Sequence, residues 1–219
     1  MPSATATSGE ITLTCDIARV EDSIVFTYSL ANQGRTAVVV MDAAPVVDLG
    51  TGKRSADAAS ATTWFGADNH AHVLKGTAPL PDGIEPEAAI TPLGVRLEPG
   101  KTIERRLSER LPLSEHSPYA PPGNLRDYRM AAILGVALTV EVLPALPGLI
   151  AEARDIARGL WRVSDPEVAA GLVQRLTCAF PARGLFMLAR LEGYKRPEPA
   201  PPAAPTPPAP DSSPGGSAV

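Results

Sequence analysis

Apolar and polar residues first alternate at Ile11. Ile11, Leu13 and Cys15 are separated by Thr12 and Thr14, a period of two that predicts a half-buried strand over 10–16. A turn at Val20-Glu21-Asp22 leads into 23–30, where Ile24, Phe26, Tyr28 and Leu30 form one face and Val25, Thr27 and Ser29 the other, so the two segments read as an antiparallel hairpin. Asn32-Gln33-Gly34 tolerates positive φ, and Val38-Val39-Val40 behind it predicts a third strand buried on both faces. Segments 62–65 and 70–74, split by Asp68-Asn69, predict a short hairpin anchored by Trp64 and Phe65. A strand over 89–97 contains Pro92, which assigns it to an edge or a bulge. Glu98-Pro99-Gly100-Lys101 has the residue order of a type II turn and predicts a hairpin into 103–107. The longest apolar run, 128–142, is a strand by its Ile133, Val136, Leu138, Val140 and Val142.

After Pro144 and Pro147 the period changes. Leu149, Ile150, Ala153, Ile156, Ala157 and Leu160 recur every three or four residues, which predicts an amphipathic helix near 149–161. Ser164 as N-cap, Pro166 in the first turn and Glu167 three residues after the serine form a possible capping box, although Gly171 sits where that helix would continue. Residues 172–180 fit a short helix or a strand, the second half leaning to strand. The expected fold class is mainly β: an antiparallel sandwich over 9–192 with a C-terminal amphipathic helix, preceded by a flexible N-terminus at 1–8.

Composition adds a boundary. Of 24 prolines in 219 residues, nine fall between Pro197 and Pro214. This Pro/Ala/Ser segment has no apolar face to offset its ordering entropy, so 193–219 is expected to be a disordered tail with polyproline II character. The remaining body is large enough to bury a core without disulfides or a structural metal. A net charge of −4 argues against nucleic acid and anionic membranes as partners. No basic-then-apolar leader opens the sequence, and the run 130–140 is shorter than the roughly 20 residues a membrane helix needs. The expectation is a cytoplasmic protein whose Cys15 and Cys178 are reduced and buried.

Candidate chemistry is sparse. Gly100-Lys101-Thr102 ends like a phosphate-binding loop, but the distal glycine position is Val95, Gly94 lies one residue too early, and Glu98-Pro99 stands where small residues would form an amide nest. His70-Ala71-His72 would put two imidazoles on one strand face with Asp68 nearby, the start of a metal site that needs a third ligand; His116 is the only other histidine. His70 and His72 are therefore the metal candidates. No hydrolase, zincin or Cys/His motif is present, so no catalytic residue and no cofactor is assigned.

The phrase from Phe26 through Asn32-Gln33-Gly34, together with Leu97-Glu98-Pro99-Gly100-Lys101-Thr102, resembles the strand-turn phrases of bacterial immunoglobulin-like β-sandwich domains, including the family of the bacterial intracellular proteinase inhibitor. The resemblance implies an immunoglobulin-like sandwich. The functional expectation is a non-enzymatic protein-interaction module with an unidentified protein partner, an adaptor or subunit of a larger assembly, engaged through a strand edge or the tail. The alternatives are a proteinase-inhibitor-like protein and a nucleotide-binding enzyme using Gly100–Thr102.

Overall fold

The alternating segments become strands whose apolar faces meet between two sheets. In the computed structural model, which describes residues 1–48, 50–80, 90–119 and 125–191, the first strands are β1 (Ser3–Ser8), β2 (Ile11–Val20), β3 (Ser23–Asn32) and β4 (Val38–Val47). β5 (Arg54–Asp57), β6 (Thr62–Phe65), β7 (His70–Lys75) and β8 (Leu93–Leu97) come next, then β9 (Thr102–Arg110), β10 (Leu113–Ser114) and β11 (Tyr128–Pro144). β12 (Ile150–Glu152), β13 (Leu160–Val163), the helix α1 (Pro166–Ala170) and β14 (Gln174–Arg190) come last. Strands make up 62% of the described residues and helices 4%, so the mainly β expectation holds. The tail 193–219 lies outside the described residues.

One sheet has the order β1-β2-β3-β9 and is antiparallel throughout. The other runs β10-β14-β11-β4-β8-β13-β12, with β5 paired to β4, β7 to β11 and β6 to β7. The 17-residue β11 organises this second sheet. One of its edges runs along β14, while the other pairs in parallel with β7 at Gly135–Val140 and antiparallel with β4 at Glu141–Pro144.

The core lies where the period-2 faces meet. Leu13 and Cys15 of β2, with Phe26 and Leu30 of β3, pack on Leu138 and Val140 of β11 and Leu176 and Phe180 of β14. Burying each of the large members contributes about 2–3 kcal/mol. The back of the second sheet is covered too, where Val39, Met41 and Leu143 meet Leu149, Ile150 and Ala169. This is why Val38-Val39-Val40 is buried on both faces, as its β-branched run predicts. Cys15 and Cys178 are both free and buried in the shared core, and desolvation pushes the Cys15 thiol up to about 12.

Several expectations need correction. Residues 3–8 are an ordered strand, not a flexible N-terminus, because Gly9 (φ 57) turns the chain so that β1 pairs along β2. No helix forms over 149–161. Its apolar residues are shared between two clusters on either side of a β12–β13 hairpin, and only one helical turn, Ala157 N–H to Ala153 O at 3.0 Å, appears in the loop before Gly159 (φ 78) reverses the chain. The helix that does form, α1, is five residues long and is capped by Asp165, whose carboxylate accepts from Val168 N–H at 3.1 Å, rather than by Ser164. Pro92 precedes β8 instead of interrupting it, and β8 lies between β4 and β13 rather than at an edge. The Glu98–Lys101 turn forms, with Gly100 at φ 70, but it joins strands of different sheets and is not a hairpin. Residues 172–180 resolve as strand, the start of β14.

Candidate functional site

Alternation along β7 sends Ala71 and Val73 into the core and leaves His70 and His72 on the opposite face, as the spacing predicts. Both rings are occupied in packing. His72 stacks on its cross-strand partner Trp64 with centroids 5.1 Å apart. His70 lies over Gly135, where even a β-carbon would collide with the imidazole. Asp68 spans the pair, with Oδ1 3.1 Å from His72 Nε2 and Oδ2 3.4 Å from His70 Nδ1, and the His72 contact holds its carboxyl below the usual range. His116 is on the far side of β6, its backbone exchanging two 2.8 Å hydrogen bonds with Thr63. Among the described residues, no group of three or more His, Cys, Asp or Glu side chains is placed to hold a metal ion.

At Gly100–Thr102 the amides that a phosphate would need are already used. Gly100 N–H donates to Asn32 O at 2.8 Å and Lys101 N–H to Glu98 O at 3.1 Å, and Thr102 opens a strand where a phosphate loop would open a helix. This geometry lends the phosphate-loop reading no support. The same contacts show what the segment does. Asn32 is 1% exposed; its side-chain amide donates to Leu97 O (3.1 Å) and Thr36 O (2.9 Å), and its Oδ1 accepts from Gly34 N–H (2.9 Å). The two windows Phe26–Gly34 and Leu97–Thr102, far apart in sequence, are knotted together on this one side chain.

Sequence reasoning misses a charged flank of the core. The inward positions of β9 are Ile103, Arg105, Leu107 and Glu109, since Leu107 pairs with Phe26 and Glu109 with Ile24. Asp42 continues the inward row Val38, Val40 of β4, and Lys75 the row Ala71, Val73 of β7. Arg105 bonds Asp42. Lys75 donates to Ala58 O at 2.7 Å and Ser60 O at 2.6 Å, so its ammonium fastens the β5–β6 connection to the core. Desolvation lowers Lys75 to about 8 and raises Glu109 to about 7. Asp42 and Lys75 are each 2% exposed, so their charges are held by partners within the fold. The signal was the I-R-L-E order at alternate positions of β9, which breaks the apolar stripe twice.

A surface feature remains in β1, which pairs with β2 on one side; no described strand pairs with its other side. Ile17 N–H donates to Pro2 O at 3.1 Å. By antiparallel alternation, Ala4 then bonds Cys15 and Ala6 bonds Leu13, so the N–H and C=O groups of Ser3, Thr5 and Thr7 point outward from the sheet. The residues are Ser-Ala-Thr-Ala-Thr-Ser, with neither charge nor proline. At the opposite end of the sheet, β9 carries Glu104, Arg105, Arg106, Glu109 and Arg110, the charged edge that discourages strand addition. No protein-family model, curated protein or solved structure matches the chain.

Proposed function

We propose that this chain is a non-enzymatic protein-interaction module that takes up an extended segment of a partner protein along the free edge of β1. The observation that carries the reading is the row of outward main-chain groups at Ser3, Thr5 and Thr7, lined only by small uncharged side chains. Each hydrogen bond added there contributes about 0.5–1.5 kcal/mol net, and alternate side chains of the incoming strand fall on the two faces of the sheet. The strand is anchored on one face: Ala4 and Ala6 pack on the core, and Cys178 Sγ lies 3.5 Å from Ala4 O.

The immunoglobulin-like frame and a cytoplasmic setting belong to the same proposal. The first is supported by Asn32, which joins the two turn phrases, and the second by two free, buried thiols. Among the described residues, no helix is long and apolar enough to cross a membrane. The test is fluorescence anisotropy with a labelled peptide of alternating Thr and Val. Binding is expected to the native chain and not to Thr5→Pro, which removes an outward N–H while leaving the β1–β2 ladder intact. Equal binding to both proteins would sink the reading.

A further inference from the structure

We infer that the segment taken up by the β1 edge is β1 of a second copy, giving a two-fold dimer in which two four-stranded sheets join into one. The inference rests on the edge reading above and adds the identity of the partner. Two antiparallel copies of a strand can be set in only a few registers, and residues directly opposite one another share a face. Ser3, Thr5 and Thr7 are on the exposed face and Ala4 and Ala6 on the core side, so the two-fold axis must pass beside a residue rather than between two.

Centring on Thr5 satisfies every requirement at once. Thr5 then opposes Thr5 of the second copy, and Ser3 opposes Thr7. These are the residues whose N–H and C=O groups point outward, so all three positions become hydrogen-bonded pairs with about six main-chain bonds in total. Ala4 opposes Ala6 in the non-hydrogen-bonded positions, where the backbones come within about 4.5 Å and small side chains fit best. On the exposed face, Thr–Thr and Ser–Thr pairs stand side by side, a favourable cross-strand combination. No charge is repeated across the axis. A six-residue edge buries less area than a permanent interface, so the dimer belongs to the weak, reversible class.

Sedimentation of the full chain from roughly 10 to 1,000 µM should show a reversible monomer–dimer equilibrium. Thr5→Lys places like charges opposite each other and should weaken it by about tenfold or more. Thr5→Pro should abolish it, with far-UV circular dichroism confirming that the fold persists. The register has its own readout, because Cys15 and Cys178 are buried and leave a new surface cysteine alone to react. Under diamide oxidation, Thr5→Cys should cross-link to itself and Ser3→Cys should not. A mixture of Ser3→Cys and Thr7→Cys should give the mixed dimer. Self-cross-linking of Ser3→Cys as efficient as that of Thr5→Cys overturns the register. A chain that stays monomeric yet binds the Thr/Val peptide overturns self-pairing and leaves the edge reading standing; one that stays monomeric and binds no peptide overturns both.

Discussion

Asn32 ties its own turn to Leu97 through one side chain. Replacing it with alanine strands the Leu97 and Thr36 carbonyls and the Gly34 amide around a side chain that is 1% exposed. Asn32→Ala should therefore cost about 2–4 kcal/mol, read as a lower urea midpoint at unchanged m-value. A loss below about 1 kcal/mol would show that water replaces the network. Glu109 makes a second residue-scale prediction, through pH, among the groups Lys75, Asp42, Asp57 and Arg105. Its folded carboxyl, raised from 4.5 to about 7, holds a proton more tightly than the unfolded chain does. Its contribution thus favours folding below about 4.5 and is lost as pH rises through 7. Lys75, lowered from 10.5 to about 8, acts in the opposite sense: stability is reduced below 8 and recovers as pH climbs towards 10.5. Glu109→Gln should abolish the fall between 4.5 and 7 and keep a rise at higher pH, its onset moved below 8 because the Glu109 carboxylate no longer supports the Lys75 ammonium. Parallel stability profiles for the native chain and the variant from pH 4.5 to 7 would contradict this.

At the scale of elements, β8 shows how tightly the second sheet is drawn together. A β-carbon on Gly94 would lie 2.6 Å from Val40 O and 2.5 Å from Val39 Cγ1, beside the irregularity between Met41 and Ala43. Because one of those atoms is backbone, the clash cannot be relieved by a rotamer change. Gly94→Ala should destabilise by about 1–3 kcal/mol, whereas Ala at Gly100, where no atom lies within 4 Å, should cost only the strain of its positive φ. The pair of urea midpoints distinguishes crowding from backbone strain. Elements were legible in the sequence where one face is buried and the other wet: β2 alternates from Ile11 to Ala18, β3 from Phe26 onward and β7 up to Val73. The segment 149–161 was not, because three- and four-residue spacing also arises when Leu149 and Ile150 serve one cluster while Ala153, Ile156 and Leu160 serve another across a hairpin. Periodicity records that residues are buried and is silent on whether a single surface buries them. β9 was legible as a strand over 103–107 but its core-side charges were not, since Arg105 and Glu109 face inward beside Asp42 and Lys75, which are distant in sequence.

At the scale of the molecule, turn chemistry predicts that the chain reverses but not which sheet receives the next strand. Glu98–Lys101 has its expected glycine geometry, yet it delivers β9 to β3 across the sandwich and not to β8. The division of β11 between β7 and β4 is equally invisible locally, because it depends on where two other strands end. The β1 edge was hidden for a related reason: small polar residues read as a flexible lead until a neighbouring strand is there to pair with them. Among the described residues, the buried apolar core runs from Ile11 to Ala189, with Ala4 and Ala6 packed against it. The segment beyond it supplies nine prolines without N–H donors, and the alanines between them are too small to anchor a packed face. Truncation after Gly193 should accordingly leave the thermal midpoint unchanged. It should also leave the monomer–dimer equilibrium unchanged if pairing runs through β1, since no tail residue enters the Thr5-centred register. A fall of more than about 3 °C, the shift that 1 kcal/mol produces in a chain of this size, would place tail residues in the folding unit. An unchanged midpoint with a lost dimer would instead place them in the interface and remove β1 as its sole source.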